Sequence, residues 1–182
     1  MGTDFSRYTF VDSLESKWKL ILSELESLLL KEVGSRNNYF DLWHERGIYE
    51  GQWKVFGFYA FGDKLSHNCE LCPITTEIIE SIPGMTTAGF SAMKPNTHIL
   101  PHRGYTSDVL RCHLGLIVPY MASATNSDSN VNENKPSCAL RVGSSIYSWQ
   151  QGKAFIFDDT EVHEAWNFSD QSRYILLVDF LK

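Results

Sequence analysis

Between residues 12 and 32 the apolar positions follow a helical period. They recur every three or four residues, at Leu14, Trp18, Leu22, Leu25 and Leu29. This spacing places the side chains on one face of an amphipathic helix, and Gly34 follows as a stop signal. The pattern predicts a helix that covers one face of a β-sheet.

One strand and one more helix are predicted before residue 85. Residues 53–61 form an aromatic stretch whose side chains alternate in facing, as they do in a β-strand. Residues 73–82 fit a short helix with Pro73 at its first position, and the Pro83-Gly84 pair ends it.

The pattern changes at about residue 86, where short strand-like runs begin. Pro and Gly residues separate these runs, which cover residues 86–93, 97–101, 109–118, 138–142, 153–158 and 173–181. Many short strands with no helices between them favour a barrel, a sandwich or a jelly roll. A polar insertion at residues 120–137 fits either a cover over a functional site or a disordered connection.

Length and charge narrow the classes of protein that fit. A chain of 182 residues suits one domain, residues 1–182, and 43% hydrophobic residues suffice for a packed core. The net charge of −6 disfavours a nucleic-acid partner. Because the N-terminus is polar and no apolar run approaches the roughly 20 residues that span a bilayer, the sequence predicts a cytoplasmic protein without a membrane span.

The four cysteines are not arranged like a zinc site. Cys69 and Cys72 form one close pair, but Cys112 and Cys138 stand far apart in the sequence. A four-cysteine zinc site needs a second close pair. The four side chains are therefore interpreted as buried or surface thiols.

Four of the six histidines are poor or ambiguous candidates for a site. His44 and His67 lie in polar surroundings, where a solvated or packing role is the commoner one. His98 and His102 are four residues apart, but Pro101 disfavours a helix between them. On a strand, the same spacing is expected to place both on one face.

Two strands aim charged side chains in one direction. Strand alternation puts Arg111 and His113 on one face of their strand. The opposite, apolar face carries Cys112, Leu114, Leu116 and Val118. Arg173 opens the largely apolar last strand and needs a carboxylate or phosphate partner, because burying an unpaired guanidinium is costly. An internal salt bridge and a bound anion both satisfy this need.

The order of these motifs resembles the aspartyl/asparaginyl β-hydroxylase family of iron- and 2-oxoglutarate-dependent oxygenases. His163 lies at a turn between two predicted strands and completes the set. The resemblance rests on the segments GFSAMKPNTHILPHRG (89–104), LRCHLGLIVP (110–119), LRVG (140–143), GKAFIFDDTEVHEAWN (152–167) and RYILLVDF (173–180).

This resemblance implies a mainly β protein with a double-stranded β-helix core, the jelly-roll or cupin-like fold, and flanking N-terminal helices. Residues 86–182 would form the catalytic core. Residues 1–85 would supply a helical cover and a substrate wall, with Trp43, Arg46 and Trp53 helping to select the substrate.

The resemblance also implies the roles of individual residues. His102 and His163 would be the iron ligands. Ser91 and Arg173 would hold the distal carboxylate of 2-oxoglutarate, with Met93 lining the same pocket. Arg111 and His113 would meet the end of 2-oxoglutarate that chelates iron.

Two further positions concern the iron itself. Asp159 would accept a hydrogen bond from metal-bound water, although an aspartate that caps a turn fits the sequence equally well. Many related oxygenases carry a carboxylate ligand two residues after the first histidine. Gly104 stands at that position here, as is usual in the resembled family, so the site would have two protein ligands and room for a further ligand on iron.

The expected function is Fe(II)- and 2-oxoglutarate-dependent hydroxylation by dioxygen. The target would be an unactivated carbon of an aspartyl- or asparaginyl-like amino acid, a peptide or a small metabolite. Hydroxylation of a lipid acyl chain is one alternative, and a non-catalytic jelly-roll module that binds a metal or a small acid is another. A zinc hydrolase is disfavoured, because it would leave Arg111 and Arg173 without a partner anion.

Overall fold

Two antiparallel β-sheets packed face to face form the body of the protein, and helices cover the outer face of the larger sheet. The computed structural model describes residues 8–33, 38–119 and 136–182. The helices are α1 (Phe10–Glu32), α2 (Ser66–Leu71) and α3 (Pro73–Glu80), and a 3-10 turn spans Arg46–Ile48. Most of the polar insertion, residues 120–135, lies outside the described residues.

The larger sheet has seven strands. They are β1 (Asp41–Leu42), β3 (Trp53–Ala60), β4 (Asp63–Lys64), β5 (Met85–Met93), β7 (Val109–Ile117), β10 (Ala154–Phe157) and β12 (Arg173–Leu181). Their order in space is β1-β3-β5-β12-β7-β10, with β4 paired to β3.

The smaller sheet has five strands. They are β2 (Tyr49–Glu50), β6 (Thr97–His102), β8 (Cys138–Val142), β9 (Ser145–Tyr147) and β11 (His163–Asn167). Their order is β2-β6-β11-β8-β9. The protein therefore has the predicted double-stranded β-helix, or jelly-roll, fold, with a helical N-terminal part. The strands that precede residue 86 join the same two sheets as those that follow it.

Two hydrophobic cores follow from this layering. The first lies between α1 and the outer face of the larger sheet, where Leu25 of α1 meets Leu114 of β7. The second lies between the two sheets and includes Trp53, Met93 and Ile175. Since strand side chains alternate between faces, the same strands that fill the first core present polar groups to the space between the sheets.

A β-bulge in β6 decides which way His102 faces. β6 pairs regularly with β11 up to Ile99, and then one extra residue of β6 precedes the pair His102 and His163. His98 bonds the carboxylate of Glu164 at 3.0 Å, whereas the ring of His102 lies against that of His163. The expectation that His98 and His102 share a face is therefore wrong, because a bulge re-aims the side chains beyond it.

Other local expectations are corrected in the same way. His163 is the first residue of β11 and does not lie in a turn. Val118 lies beyond the end of β7 and packs in the core between the sheets, not with Leu114 and Leu116. His67 lies in α2, not in a turn, and is exposed. All four cysteines are buried free thiols, which confirms the buried alternative.

Candidate active site

The two histidines predicted as metal ligands lie side by side between the sheets. The centres of the His102 and His163 rings are 4.2 Å apart. Nδ1 of His102 bonds the carbonyl of Leu100 at 2.8 Å, and Nδ1 of His163 bonds the carbonyl of Glu161 at 2.9 Å. A carbonyl only accepts, so each Nδ1 carries the proton. Each Nε2 keeps its lone pair, as a metal ligand requires.

Burial keeps both histidines neutral. It lowers the pKa of His163 to about 4, although the hydrogen bond to Glu161 opposes the shift. Burial also lowers the pKa of His102 below its ordinary value. The neutral imidazole is the form that binds a metal ion, so the pair is ready for one at neutral pH.

The space beside Gly104 is filled by a carboxylate from another segment. The amide of Gly104 donates to the carbonyl of Asp159 at 2.7 Å, and a side chain on Gly104 would overlap the Asp159 carboxylate. Asp159 is 2% exposed. Its Oδ2 lies 3.1 Å from Arg111 Nη2, whereas its Oδ1 has no partner among the described residues. The glycine therefore accommodates Asp159 and does not leave an open hole.

Asp159 is not the aspartate that caps the turn. Asp158 does so, because its Oδ1 accepts from the amide and the hydroxyl of Thr160 at 3.0 and 2.7 Å. Burial raises the pKa of Asp159, and the guanidinium of Arg111 opposes that shift. Asp159 thus keeps one buried oxygen available as an acceptor near the histidine pair.

Gly104→Ala is expected to destabilise the fold by about 1–3 kcal/mol, the usual cost of overpacking a filled site. The cause is the overlap with Asp159, so the loss should shrink in the double variant with Asp159→Ala. Chemical denaturation of the parent, the two single variants and the double variant measures the coupling. Equal costs of Gly104→Ala in the presence and absence of the Asp159 carboxylate would contradict this account.

Arg111 is already paired within the chain. Its Nε and Nη2 donate to the two oxygens of Asp179 at 2.7 and 2.8 Å. Burial disfavours the charge on Arg111, but the carboxylates of Asp179 and Asp159 raise its pKa above the ordinary value. Only Nη1 makes no hydrogen bond to a described residue. As predicted, Arg111 and His113 share the inner face of β7.

No carboxylate of the described residues pairs with Arg173 in this way. The residue is 1% exposed, and its guanidinium carbon lies 4.5 Å from the centre of the Trp149 ring. Nη1 donates to the carbonyl of Ser91 at 3.4 Å, and Nε has no partner within residues 8–33, 38–119 and 136–182. Burial lowers the pKa of Arg173 to about 10, so it remains charged at neutral pH. Among the described residues, no carboxylate forms the internal salt bridge that the sequence left open.

His113, which also contacts Trp149, supplies a second donor without a partner among the described residues. Its Nδ1 accepts from Trp149 Nε1 at 3.3 Å, so the ring proton is on Nε2. This Nε2 is buried and has no acceptor in the part of the chain that the structure describes. Burial holds the pKa of His113 well below its ordinary value. Arg173, His113 and Trp149 form a buried group of side chains in which Arg173 Nε and His113 Nε2 are donors without a partner among the described residues; we call this group the donor pocket.

The donor pocket lies next to the histidine pair. The ring of Phe157 touches both, with its centre 5.0 Å from His113 and 5.6 Å from His163. Ser91 lies at the pocket through its contact with Arg173, and its hydroxyl oxygen accepts from Trp53 Nε1 at 3.0 Å. The hydroxyl proton of Ser91 remains free to donate.

Met93 lies beside Arg173, and its role in lining a 2-oxoglutarate site stays a prediction. It pairs with Arg173 in the strand register and is fully buried between the sheets. Trp149 and Asp179 were missed by sequence reasoning. The sequence carried a signal for Asp179: it follows Arg173 by an even number of residues in a predicted strand, so both lie on the same face of that strand. Nothing in the sequence near Trp149 indicated its contact with Arg173.

His113 makes the stability of the ligand-free protein depend on pH. Because its pKa is lowered on folding, the unfolded chain binds a proton that the folded chain does not. Stability is then full above about pH 6.5 and falls as pH decreases below it, by up to about 1.4 kcal/mol per pH unit. His113→Gln removes this contribution. Urea denaturation from pH 7 to 5 in the presence of a chelator should show a shallower slope for the variant, and identical slopes would contradict the prediction.

A cavity of about 420 Å³ adjoins the histidine pair and is lined by His102. At its inner end lie His102, Ser91 and Arg111, and its walls are mainly apolar and aromatic. Trp43 and Trp53 line the cavity and stack with ring centres 4.8 Å apart; that they select a substrate stays a prediction. Arg46 instead lies over the ring of Tyr49 and does not line the cavity.

The sheets, the inward histidine pair and the donor pocket define a jelly-roll protein with a buried site in which two neutral histidines lie near a buried guanidinium that has no carboxylate partner among the described residues. Among the described residues, no group of three or more His, Cys, Asp or Glu side chains is placed to hold a metal ion. The described helices include none that is long and apolar enough to cross a bilayer.

Comparison with known proteins identifies the family. The family model for aspartyl/asparaginyl beta-hydroxylase matches residues 15–182, and the chain belongs to this family of hydroxylases. An ornithine lipid ester-linked acyl 2-hydroxylase from Rhizobium tropici is 37% identical over 181 residues, which are 98% of this chain and 59% of that protein.

A human aspartyl/asparaginyl beta-hydroxylase is 32% identical over 175 residues, which are 93% of this chain and 20% of that protein. The chain thus spans less than two thirds of the length of either relative. Among solved structures, a cupin-2 domain from Rhodospirillum rubrum aligns over 81% of this chain and 74% of that one, with 10% identity and a TM-score of 0.45.

Proposed function

We propose that the chain is an Fe(II)- and 2-oxoglutarate-dependent hydroxylase. The observation that carries this proposal is the buried charge of Arg173, which has no carboxylate partner among the described residues. An unpaired buried guanidinium costs several kcal/mol unless an anion binds to it. A dicarboxylate reaching inward from the histidine pair would supply that anion, with Ser91 and Arg173 at its distal carboxylate.

His102 and His163 would hold the iron through Nε2, and the other end of 2-oxoglutarate would lie between them and His113. When bound, iron and 2-oxoglutarate supply the oxidation: the oxoacid and dioxygen are converted to succinate and CO₂, and a C–H bond of the substrate becomes C–OH. The residues of the chain bind and orient the iron and the 2-oxoglutarate, and they exclude water from the site. Phe157 and Trp149 wall the donor pocket, and the free oxygen of Asp159 accepts a hydrogen bond from a water near the histidines.

The target is an unactivated carbon of a molecule that enters the cavity. An aspartyl- or asparaginyl-like amino acid, a peptide or a small metabolite follows from the family. A lipid acyl chain is the second candidate, and the mainly apolar lining of the cavity favours it. The 37% identical relative, named as an acyl 2-hydroxylase, adds to this support. The predicted cytoplasmic location remains a prediction.

The test is oxygen-dependent formation of succinate from 2-oxoglutarate with added Fe(II). A hydroxylase is expected to release succinate slowly without substrate and faster with the correct member of a panel of amino acids, peptides and acyl amides. Succinate should not form under nitrogen or with Zn(II). If Fe(II) and 2-oxoglutarate raise the melting temperature but no panel member or blank gives succinate, the chain is the non-catalytic binding module instead.

A further inference from the structure

The turn between β3 and β4 holds a phenylalanine in a backbone conformation that phenylalanine rarely adopts. Ala60 pairs with Asp63, so Phe61 and Gly62 form a two-residue hairpin turn, with φ angles of 52° and 92°. Such turns select Asn, Asp or Gly at their first position, because a bulky side chain is strained there. Phe61 therefore strains the backbone of this turn, which Asn, Asp or Gly would not.

Burial of the side chain does not explain why a phenylalanine occupies this strained position. Its side chain is 74% exposed, and it contacts Tyr105, which is itself 62% exposed, with ring centres 6.4 Å apart. The turn is nevertheless fixed to the sheet, because the amide of Phe61 donates to Thr87 Oγ1 at 3.2 Å and the amide of Gly62 donates to the carbonyl of Thr86 at 2.7 Å. The ring is held in a defined place in water, where folding gains little from it.

That place is the mouth of the cavity. Phe61, Leu65 and Tyr105 line its outer end, while His102 and Arg111 lie at its inner end. All three outer residues are exposed, with Leu65 at 40%. The hydroxyl of Tyr105 donates to Glu45 across the mouth. We call these three residues the apolar rim. It is continuous with the apolar wall of the cavity and extends that wall toward solvent.

The charges of the cavity disfavour an acidic substrate. Arg111 is paired with Asp179 and Asp159, and the exposed Arg103 donates to the carbonyl of Thr160. The lining also carries the carboxylates of Asp41 and Glu45. An incoming carboxylate would find no unpaired buried cation on the described cavity walls, and its desolvation would go uncompensated. A neutral or cationic molecule with an apolar chain suits these walls.

We propose that Phe61 is a substrate-contacting residue that selects for an apolar chain. This inference rests on the proposed hydroxylase function. The part of the chain next to the reacting carbon lies beside His102, and the part that leaves the cavity packs on the apolar rim. The two amide hydrogen bonds of the turn hold the ring of Phe61 at the mouth, and contact with the substrate offsets the backbone strain of the turn. The chain reaches the rim either as a free molecule or from a lipid surface.

Binding of two neutral probes, butanoyl glycinamide and dodecanoyl glycinamide, tests the proposal. Quenching of intrinsic tryptophan fluorescence reports binding, since Trp43 and Trp53 line the cavity. The parent is expected to bind the long probe more tightly than the short one. Phe61→Asn should weaken the long probe about fivefold to tenfold, as loss of an aromatic contact does, and leave the short probe unchanged. Phe61→Leu, which keeps an apolar side chain, should retain most of the affinity.

Stability separates this role from a structural one. Phe61→Asn suits the turn better, so its melting temperature should equal or exceed that of the parent. Phe168→Asn is the matched control, because Phe168 is also an exposed phenylalanine, at 51%, but does not line the cavity. It should leave binding of both probes unchanged. Long-probe affinity that is equal in Phe61→Asn and the parent, or a parent that binds neither probe, would overturn the proposal.

Two further measurements distinguish the remaining outcomes. Succinate release without substrate should be the same in the control Phe168→Asn and the parent; if neither releases succinate, the proposed function fails while chain binding stands on the fluorescence result. Dodecanoyl glycinamide in phosphatidylcholine vesicles identifies the source of the chain. If the parent sediments with the vesicles and Phe61→Asn does so less, the chain is taken up from a lipid surface. If neither protein sediments with the vesicles, the chain is taken up as a free molecule.

Discussion

Arg173→Met is expected to weaken 2-oxoglutarate binding by more than tenfold without destabilising the ligand-free protein. A buried charge-assisted contact to a carboxylate contributes about 1.5–3 kcal/mol, and this variant removes it. In the absence of the anion, Arg173 is a buried charge without a carboxylate partner in the described part of the chain, and an apolar side chain of similar length is at least as stable there. Isothermal titration with 2-oxoglutarate and thermal denaturation without it measure the two effects.

Measuring 2-oxoglutarate affinity and thermal stability together separates binding from folding, because replacing a residue that merely supports the core would lower both quantities. Arg141→Met is the matched control: Arg141 is an arginine on the smaller sheet whose Nε bonds Glu164 at 2.7 Å, outside the donor pocket. It should leave 2-oxoglutarate affinity unchanged. If Arg173→Met binds 2-oxoglutarate as tightly as the parent, the anion binds at another site. The main support for the proposed cofactor would then be lost.

His102→Ala and His163→Ala are each expected to reduce succinate formation by at least about a hundredfold. Residues that only orient metal ligands already change affinity or activity by about 10–100-fold, and these two side chains would hold the metal directly. Each variant should also lose Co(II) binding, followed by its visible absorption, which reports the site without turnover.

His98→Ala is the control that the bulge in β6 provides. His98 stands four residues before His102 but bonds Glu164 on the opposite face, so its loss should leave Co(II) binding and succinate formation close to those of the parent. Retention of activity in His102→Ala, or its loss in His98→Ala, would show that the wrong face had been assigned to the metal.

Sequence reasoning predicted best the elements whose hydrophobic pattern covers their whole length. The strands at residues 138–142 and 173–181 have the bounds that their patterns indicated, since apolar runs bounded by Gly or polar turns leave little choice of state. Alternation alone also placed Arg111 and His113 together. β11 was missed because it begins with the polar pair His163-Glu164, which looks like the continuation of a turn.

The donor pocket was only half accessible from the sequence. Resemblance to a family brought Ser91, Arg173 and His113 into one site, and the strand register agrees. That Arg173 would stack on Trp149 depends on how the two sheets are packed, which no local pattern encodes. The pairing of Arg111 with Asp179 likewise requires β7 and β12 to be neighbours in a set register, a long-range fact that strand periodicity does not contain.

The extra residue in β6 also has a consequence for how this chain tolerates insertions and deletions. The inward direction of His102 depends on the bulge that takes up the extra residue between Ile99 and His102. Deleting one residue there would restore regular pairing and leave the imidazole opposite His163, because residues paired directly across two strands lie on the same face. A strand of the present length without the bulge would instead pair Pro101 with His163 and turn the imidazole toward solvent. A homologue shortened by one residue in this segment is therefore expected to keep both the fold and the histidine pair, whereas a second deletion would lose the pair.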